Sequence, residues 1–143
     1  MNFSTKQKGD IAEQAVILKA LRMGWEVARP IGDRLSYDLI IDINGKLVKI
    51  QVKSAWFDEV KQNYVVDNRR TKTNRRVIKR ENYSSNDFDF AILYIEDLNV
   101  FYIMPIEAFL SYGSEIHLVE DEKRQRNPKS AAYREAWELL CSF

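Results

Sequence analysis

A chain of 143 residues that is 45% hydrophobic and 30% charged holds enough apolar material for one packed domain with an ordinary charged surface. Its formal net charge of +1 means that global electrostatics do not by themselves point to a polyanionic partner. A single cysteine, Cys141, and a single histidine, His117, exclude internal disulfides, zinc fingers and metal sites of clustered thiolates or imidazoles. They also leave Ser/His/Asp or Cys/His catalysis dependent on where His117 falls.

Residues 1–8 lack the apolar segment of a secretory signal, and no apolar run is long enough to span a bilayer. The expectation is a cytoplasmic setting without a membrane partner. Residues 10–23 read as a helix opened by Asp10 and closed by Gly24, followed by a short strand over 25–29 that stops at Pro30. Residues 37–43 and 46–54 are alternating apolar runs joined by Asn44-Gly45, the preferred two-residue hairpin turn. A short edge strand is predicted over 64–67 and a long polar stretch over 68–85. Strands follow over 88–95 and 100–104, then a short helix over 105–110 that begins on proline. A strand over 115–119 and an amphipathic helix over 130–140 complete the reading. No linker or repeat divides residues 1–143. The fold class is therefore α/β, bordering on α+β, as a single domain with a central mixed sheet flanked by helices.

The Asn44-Gly45 turn sets the hairpin register. Ile43 faces Lys46, and counting outward brings Asp38 opposite Gln51, with Lys53 and Lys49 on the same face. The other face, Tyr37, Leu39, Ile41 and Ile43 against Val48, Ile50 and Val52, is almost purely apolar. One side is thus core, while the other sets an acid, an amide and an amine side by side. That pattern is also what an ordinary solvent-facing hairpin shows, and a bulge would shift it. Glu13 lies on the helix stripe of Val16, Ile17 and Ala20. An acid there either turns inward towards a cation or metal, or caps the helix start in a box with Asp10; both readings stand.

Charge is unevenly distributed. Arg69, Arg70, Lys72, Arg75, Arg76, Lys79 and Arg80 follow one another with no acid before Glu81. Such a run is either a solvated loop or a phosphate-binding surface. Thr71, Thr73 and Asn74 between them can donate to phosphates or to base edges. Lys123, Arg124 and Arg126 form a second basic cluster, diluted by Glu120, Asp121 and Glu122. The tyrosines Tyr64, Tyr83, Tyr94 and Tyr102, with Trp56, read as core or interface packing, and His117 as structural.

A helix bearing Glu13, Asp38 at a strand start, and Gln51-Val52-Lys53 in the paired strand together resemble the PD-(D/E)XK nuclease superfamily. Tyr37 stands where that motif has proline, and Gln51 replaces its second acid, as in the superfamily's QxK variants. Residues 6–13 (KQKGDIAE), 64–70 (YVVDNRR), 86–91 (NDFDFA) and 112–118 (YGSEIHL) widen the resemblance to a small group of intron-encoded homing endonucleases, over residues 6–140. The resemblance implies a restriction-endonuclease-like fold and site-specific double-strand cleavage of duplex DNA in a bacterial cytoplasm. It also implies a homo-oligomer, with a tetramer favoured, since one small domain carries one site. A junction-resolving or restriction-type nuclease of the same fold is the alternative enzyme, and a DNA-binding module with a decayed site the alternative without catalysis.

On that reading Glu13, Asp38, Gln51 and Lys53 are the catalytic residues. Mg²⁺, with Mn²⁺ able to substitute, is held by Asp38, the Gln51 amide oxygen, the Val52 carbonyl and Glu13 directly or through water. Lys53 positions or helps deprotonate the attacking water. Glutamine at position 51 leaves the site one negative charge poorer, so weaker metal binding without DNA is expected.

Overall fold

Ser4 opens the long helix α1 (Thr5–Arg22) through a capping box: its hydroxyl accepts the Gln7 N–H at 3.2 Å, and the Gln7 amide oxygen accepts the Ser4 N–H at 3.0 Å. This is a computed structural model, and it describes residues 4–73, 78–120 and 128–143. The helix therefore starts earlier than the expected position 10. The cap belongs to Ser4 and Gln7, leaving Asp10 and Glu13 in the helix body. Ala12, Val16 and Ala20 are fully buried along one stripe, and Gly24, at φ 84°, supplies the left-handed turn that ends the helix.

Along the chain follow β1 (Glu26–Ala28), β2 (Leu39–Ile43), β3 (Lys46–Ser54), β4 (Trp56–Asp58), β5 (Asn63–Asp67), β6 (Arg69–Thr73), β7 (Ile78–Asn82), β8 (Phe90–Ile95) and β9 (Val100–Pro105). Then come α2 (Ile106–Leu110), β10 (Glu115–Leu118) and α3 (Glu138–Cys141). The main sheet has the order β1-β2-β3-β8-β9. It is mixed, because β3 and β8 run parallel while the other neighbours are antiparallel. Every residue of β8 is buried, as befits a strand covered on both faces. On one face α1 packs over Leu39, Ile41, Val48 and Ile50; on the other, Phe88, Phe109, Ile116 and Tyr102 form a second core. No described helix is long and apolar enough to cross a membrane.

The hairpin register is as the turn dictates, with Ile43 paired to Lys46 and Leu39 to Ile50. Three expectations need correction. The strand near 64–67 is β5, the centre of a second sheet ordered β10-β5-β4, not an edge, because β4 pairs with it through an unexpected strand at Trp56. The polar stretch after Asn68 contains an antiparallel ribbon, β6 with β7, in which Thr71 pairs with Arg80 and Lys72 with Lys79. The closing helix is broken. A 3-10 segment, Lys129–Tyr133, is separated from α3 by Glu135 at φ 51°, whose carboxylate accepts the Phe101 N–H at 2.7 Å and the Trp137 indole N–H at 3.0 Å. The carboxylate bond to Phe101, with the Glu135 N–H donating to the Phe101 carbonyl at 2.7 Å, ties the segment to the edge strand β9 and overrides its helical periodicity. Of the aromatic side chains expected to pack, Tyr83, Tyr94 and Tyr102 are buried, whereas Trp56 is exposed.

Candidate active site

β3 organises the site, since its outward face carries Lys49, Gln51 and Lys53 while Val48, Ile50 and Val52 anchor it in the core. Continuing the β2–β3 ladder by one step places Asp38 opposite Gln51, although regular pairing ends at Leu39. At Asp38 the backbone N–H donates to the Ile50 carbonyl at 2.8 Å, and the carboxylate Oδ2 accepts the Val52 N–H at 2.8 Å. The side chain therefore occupies a position on the ladder that a strand carbonyl would otherwise fill. This pins one carboxylate oxygen and fixes the orientation of the group. Farther along β3, Asp89 does the same for the Lys49 N–H at 2.8 Å.

Glu13 stands in the middle of α1, which covers the apolar side of the sheet, and comes close to Asp38 at the end of the hairpin. It lines, with Asp38, Asp10, Asp33 and Arg29, an open cavity of about 460 Å³. The Arg29 guanidinium lies 3.7 Å from Glu13 Oε1. Burial raises the Glu13 carboxyl above its ordinary range and the neighbouring Asp38 charge adds to the effect, with Arg29 opposing it. Burial likewise raises Asp38, against the lowering pull of the Val52 N–H, Lys53 and Arg29. Burial and proximity thus both work against the two carboxyls ionising together, and a nearby positive charge would relieve that.

The shift has a consequence for stability. A carboxyl whose folded pKa is raised still holds its proton in a pH window where the unfolded chain has released it. Stability therefore falls as pH rises through that window. Asp38→Asn removes the charge but keeps an oxygen for the Val52 N–H. The variant is expected to melt at a higher temperature than the parent in EDTA at about neutral pH, with the gain shrinking below the ordinary aspartate range of about 4. A variant that melts lower at neutral pH contradicts this account of Asp38.

Lys53 is held at the opposite end of the face. Its ammonium donates to the Arg69 carbonyl at 3.0 Å and lies 5.2 Å from the centre of the Tyr83 ring. Arg69 opens β6 and Tyr83 follows β7, so the lysine touches both roots of the basic ribbon. Asn68 fixes one of those roots. Its N–H donates to the Ser114 carbonyl, and its amide nitrogen to the carbonyls of Phe109 at 2.8 Å and Gly113 at 3.0 Å. Gln51 lies between the two ends, its amide nitrogen Nε2 donating to the Val52 carbonyl at 3.2 Å. The fold thus gathers Glu13, Asp38, Gln51 and Lys53 around the end of one hairpin.

Residues 3–140 match the family described as PD-(D/E)XK endonuclease. The chain belongs to this endonuclease family. A solved structure titled as a bacterial homing endonuclease, I-Ssp6803I, is 62% identical, with a TM-score of 0.90, covering 98% of this chain and 95% of that one. No curated protein matches. As a family member the protein is a DNA endonuclease, and nucleases of this type generally use divalent metal ions.

The donors at the site suit such an ion. Among the described residues no three His, Cys, Asp or Glu side chains come close enough together to hold a metal ion by themselves, so a soft or all-carboxylate cage is not formed there. What the endonuclease offers is two carboxylates, an amide and a backbone carbonyl, hard oxygens of the kind that hold Mg²⁺ together with water and phosphate. An amide exchanges its donor and acceptor by a half-turn, so Gln51 can present oxygen beside the Val52 carbonyl.

Of the basic residues singled out in the sequence, Arg69 pairs with Asp67 at 3.2 Å at the root of the ribbon. Arg70, Lys72, Lys79 and Arg80 lie on β6 and β7. Arg75, Arg76, Lys123, Arg124 and Arg126 lie outside the described residues. Tyr83 was read for packing alone and Asn68 only as part of the run over 64–70, while Arg29 gave no sequence signal. Arg29 stands alone beside Pro30, and only the long-range fold brings it to Glu13.

Proposed function

We propose that this chain is an intron homing endonuclease that makes double-strand breaks at a specific site in duplex DNA by Mg²⁺-dependent phosphodiester hydrolysis. The observation that carries the reading is the likeness to a bacterial homing endonuclease at 62% identity over 98% of the chain. Support comes from the charge-poor oxygen site beside the root of a basic ribbon.

Asp38, oriented by the Val52 N–H, would be the principal metal ligand, with the Val52 carbonyl, Glu13 and, after a half-turn of its amide, the Gln51 oxygen completing the protein's share. The metal, when bound, supplies Lewis-acid stabilisation of charge on the scissile phosphate and lowers the pKa of a water. Lys53 orients the attacking water and offsets charge as the phosphorus–oxygen bond to the leaving group breaks. Because Gln51 is neutral, the DNA phosphate provides the missing negative charge, and the site assembles fully only on DNA. Mn²⁺ substitutes for Mg²⁺.

One domain carries one such site, so cutting both strands requires more than one copy. A homo-oligomer, with a tetramer favoured, acts on a partly palindromic target in the bacterial cytoplasm. The test is digestion of a randomised duplex library with the ends sequenced and the solution mass measured in parallel. The reading expects one long, partly symmetric target cut on both strands by a tetramer. Preferential cutting of four-way junctions over any linear target would favour a resolving nuclease instead, and absence of metal-dependent cleavage would leave only a binding module.

A further inference from the structure

The cavity before the site carries an electrostatic feature that metal ligation and Lys53 leave unused. Asp10, Glu13, Asp33 and Asp38 all line it, and on the proposed reading a DNA phosphate reaching Asp38 meets this negative mouth. Arg29 lies in the same wall. Its guanidinium is 3.7 Å from Glu13, within ion-pair range but beyond a hydrogen bond, and the arginine side chain is 48% exposed against 29% for Glu13. The pair is therefore loose and half in water, which makes it easy to exchange. The backbone beneath it is not loose. Arg29 follows directly on β1 and precedes Pro30, and the residue before a proline is confined to extended conformations. A fixed Cα with a long side chain lets the charged end sweep an arc at the cavity mouth while its root stays put.

We infer that Arg29 is an exchangeable counter-ion: it neutralises Glu13 in the DNA-free protein and, once a metal takes over the carboxylates, turns its guanidinium to the DNA phosphate beside the cut. The inference rests on the proposed reading of Glu13 and Asp38 as metal ligands. It adds a positioning residue outside the PD-(D/E)XK pattern. It also gives the protein a reason to bind metal weakly before DNA arrives, since the metal has to displace a resident cation. A guanidinium fork matches a phosphate's oxygens, so the same group serves both states without a second residue.

The inference predicts effects of opposite sign in one variant. With Arg29→Met, Mn²⁺ binding to the DNA-free protein, followed by loss of the free-ion EPR signal, is expected to tighten on the order of 10-fold, as expected for removing a unit charge near a divalent ion in a wet site. DNA cleavage by the same variant is expected to fall about 10²-fold in kcat/KM, the lower end for loss of one preorganised charge contact. Arg29→Lys keeps the charge and is expected to leave Mn²⁺ affinity near the parent value, with cleavage between the two. Weakened Mn²⁺ binding in Arg29→Met would show a merely structural role and overturn the inference; so would unchanged Mn²⁺ binding. Tightened binding with unchanged cleavage would overturn the phosphate half of it. Glu13→Gln serves as the separate check on the underlying reading. If it leaves Mn²⁺ affinity unaltered, Glu13 is not a ligand, whatever Arg29→Met shows.

Discussion

Asparagine at position 38 is expected to lower metal-dependent DNA cleavage by at least about 10³-fold, roughly 4 kcal/mol of transition-state stabilisation, while leaving DNA binding within about twofold. The substitution is chosen for what it preserves. The amide oxygen of asparagine still accepts the Val52 N–H that the carboxylate holds at 2.8 Å, so the junction of β2 and β3 keeps its geometry. Only the charge is lost, and with Gln51 already neutral the site is then left with Glu13 as its remaining acid. Alanine at Lys53 is expected to have a comparable effect on cleavage by another route, since it removes a cation and not a ligand. Quantitative single-turnover assays with a mobility-shift control measure both. Unchanged cleavage by either variant removes the assignment of that residue.

Removing four cations from the basic ribbon is the second large effect. Alanine at Arg70, Lys72, Lys79 and Arg80 is expected to weaken DNA binding about 10³-fold at about 0.15 M salt if each contacts one phosphate, because each contact releases about 0.9 counter-ion. The slope of log affinity against log salt should shrink by about 3 to 4. The fold should survive, because the root of the ribbon is held by Asn68 and by the Arg69–Asp67 pair, neither of which is altered. Far-ultraviolet circular dichroism and the affinity measured across a salt series check this directly. An unchanged slope would place the DNA elsewhere on the protein.

Much of this site was legible in the sequence because a two-residue turn is a rigid ruler. Asn44-Gly45 dictates which residues face each other, and Asp38, Gln51 and Lys53 follow by counting. Glu13 was ambiguous because a capping box and an inward-turned acid share one spacing. The Ser4–Gln7 cap resolves it by taking the helix start for itself. Two strands of the second sheet, over 64–67 and 115–119, were legible, whereas β4 was not, because it is a short exposed segment whose pairing to β5 is not written in its own pattern. The closing helix misled for a physical reason: Ala136, Trp137, Leu139 and Leu140 read as the apolar stripe of one helix, but Glu135 turns to φ 51° and bonds to Phe101 at the sheet edge. Arg29, and the contact of the packed Tyr83 with Lys53, were illegible for a simpler reason. Each side chain acts on a residue far away in sequence, Glu13 and Lys53 respectively, and no local periodicity encodes such a contact.

Whether the hairpin end is a metal-dependent cleavage centre is decided by anomalous diffraction from crystals of the DNA complex grown with Mn²⁺. The account predicts an anomalous peak within bonding distance of an Asp38 carboxylate oxygen, the Val52 carbonyl and the Gln51 amide oxygen, with a DNA phosphate oxygen closing the shell. A peak remote from Asp38, or ordered DNA whose phosphates do not approach β3, would contradict it.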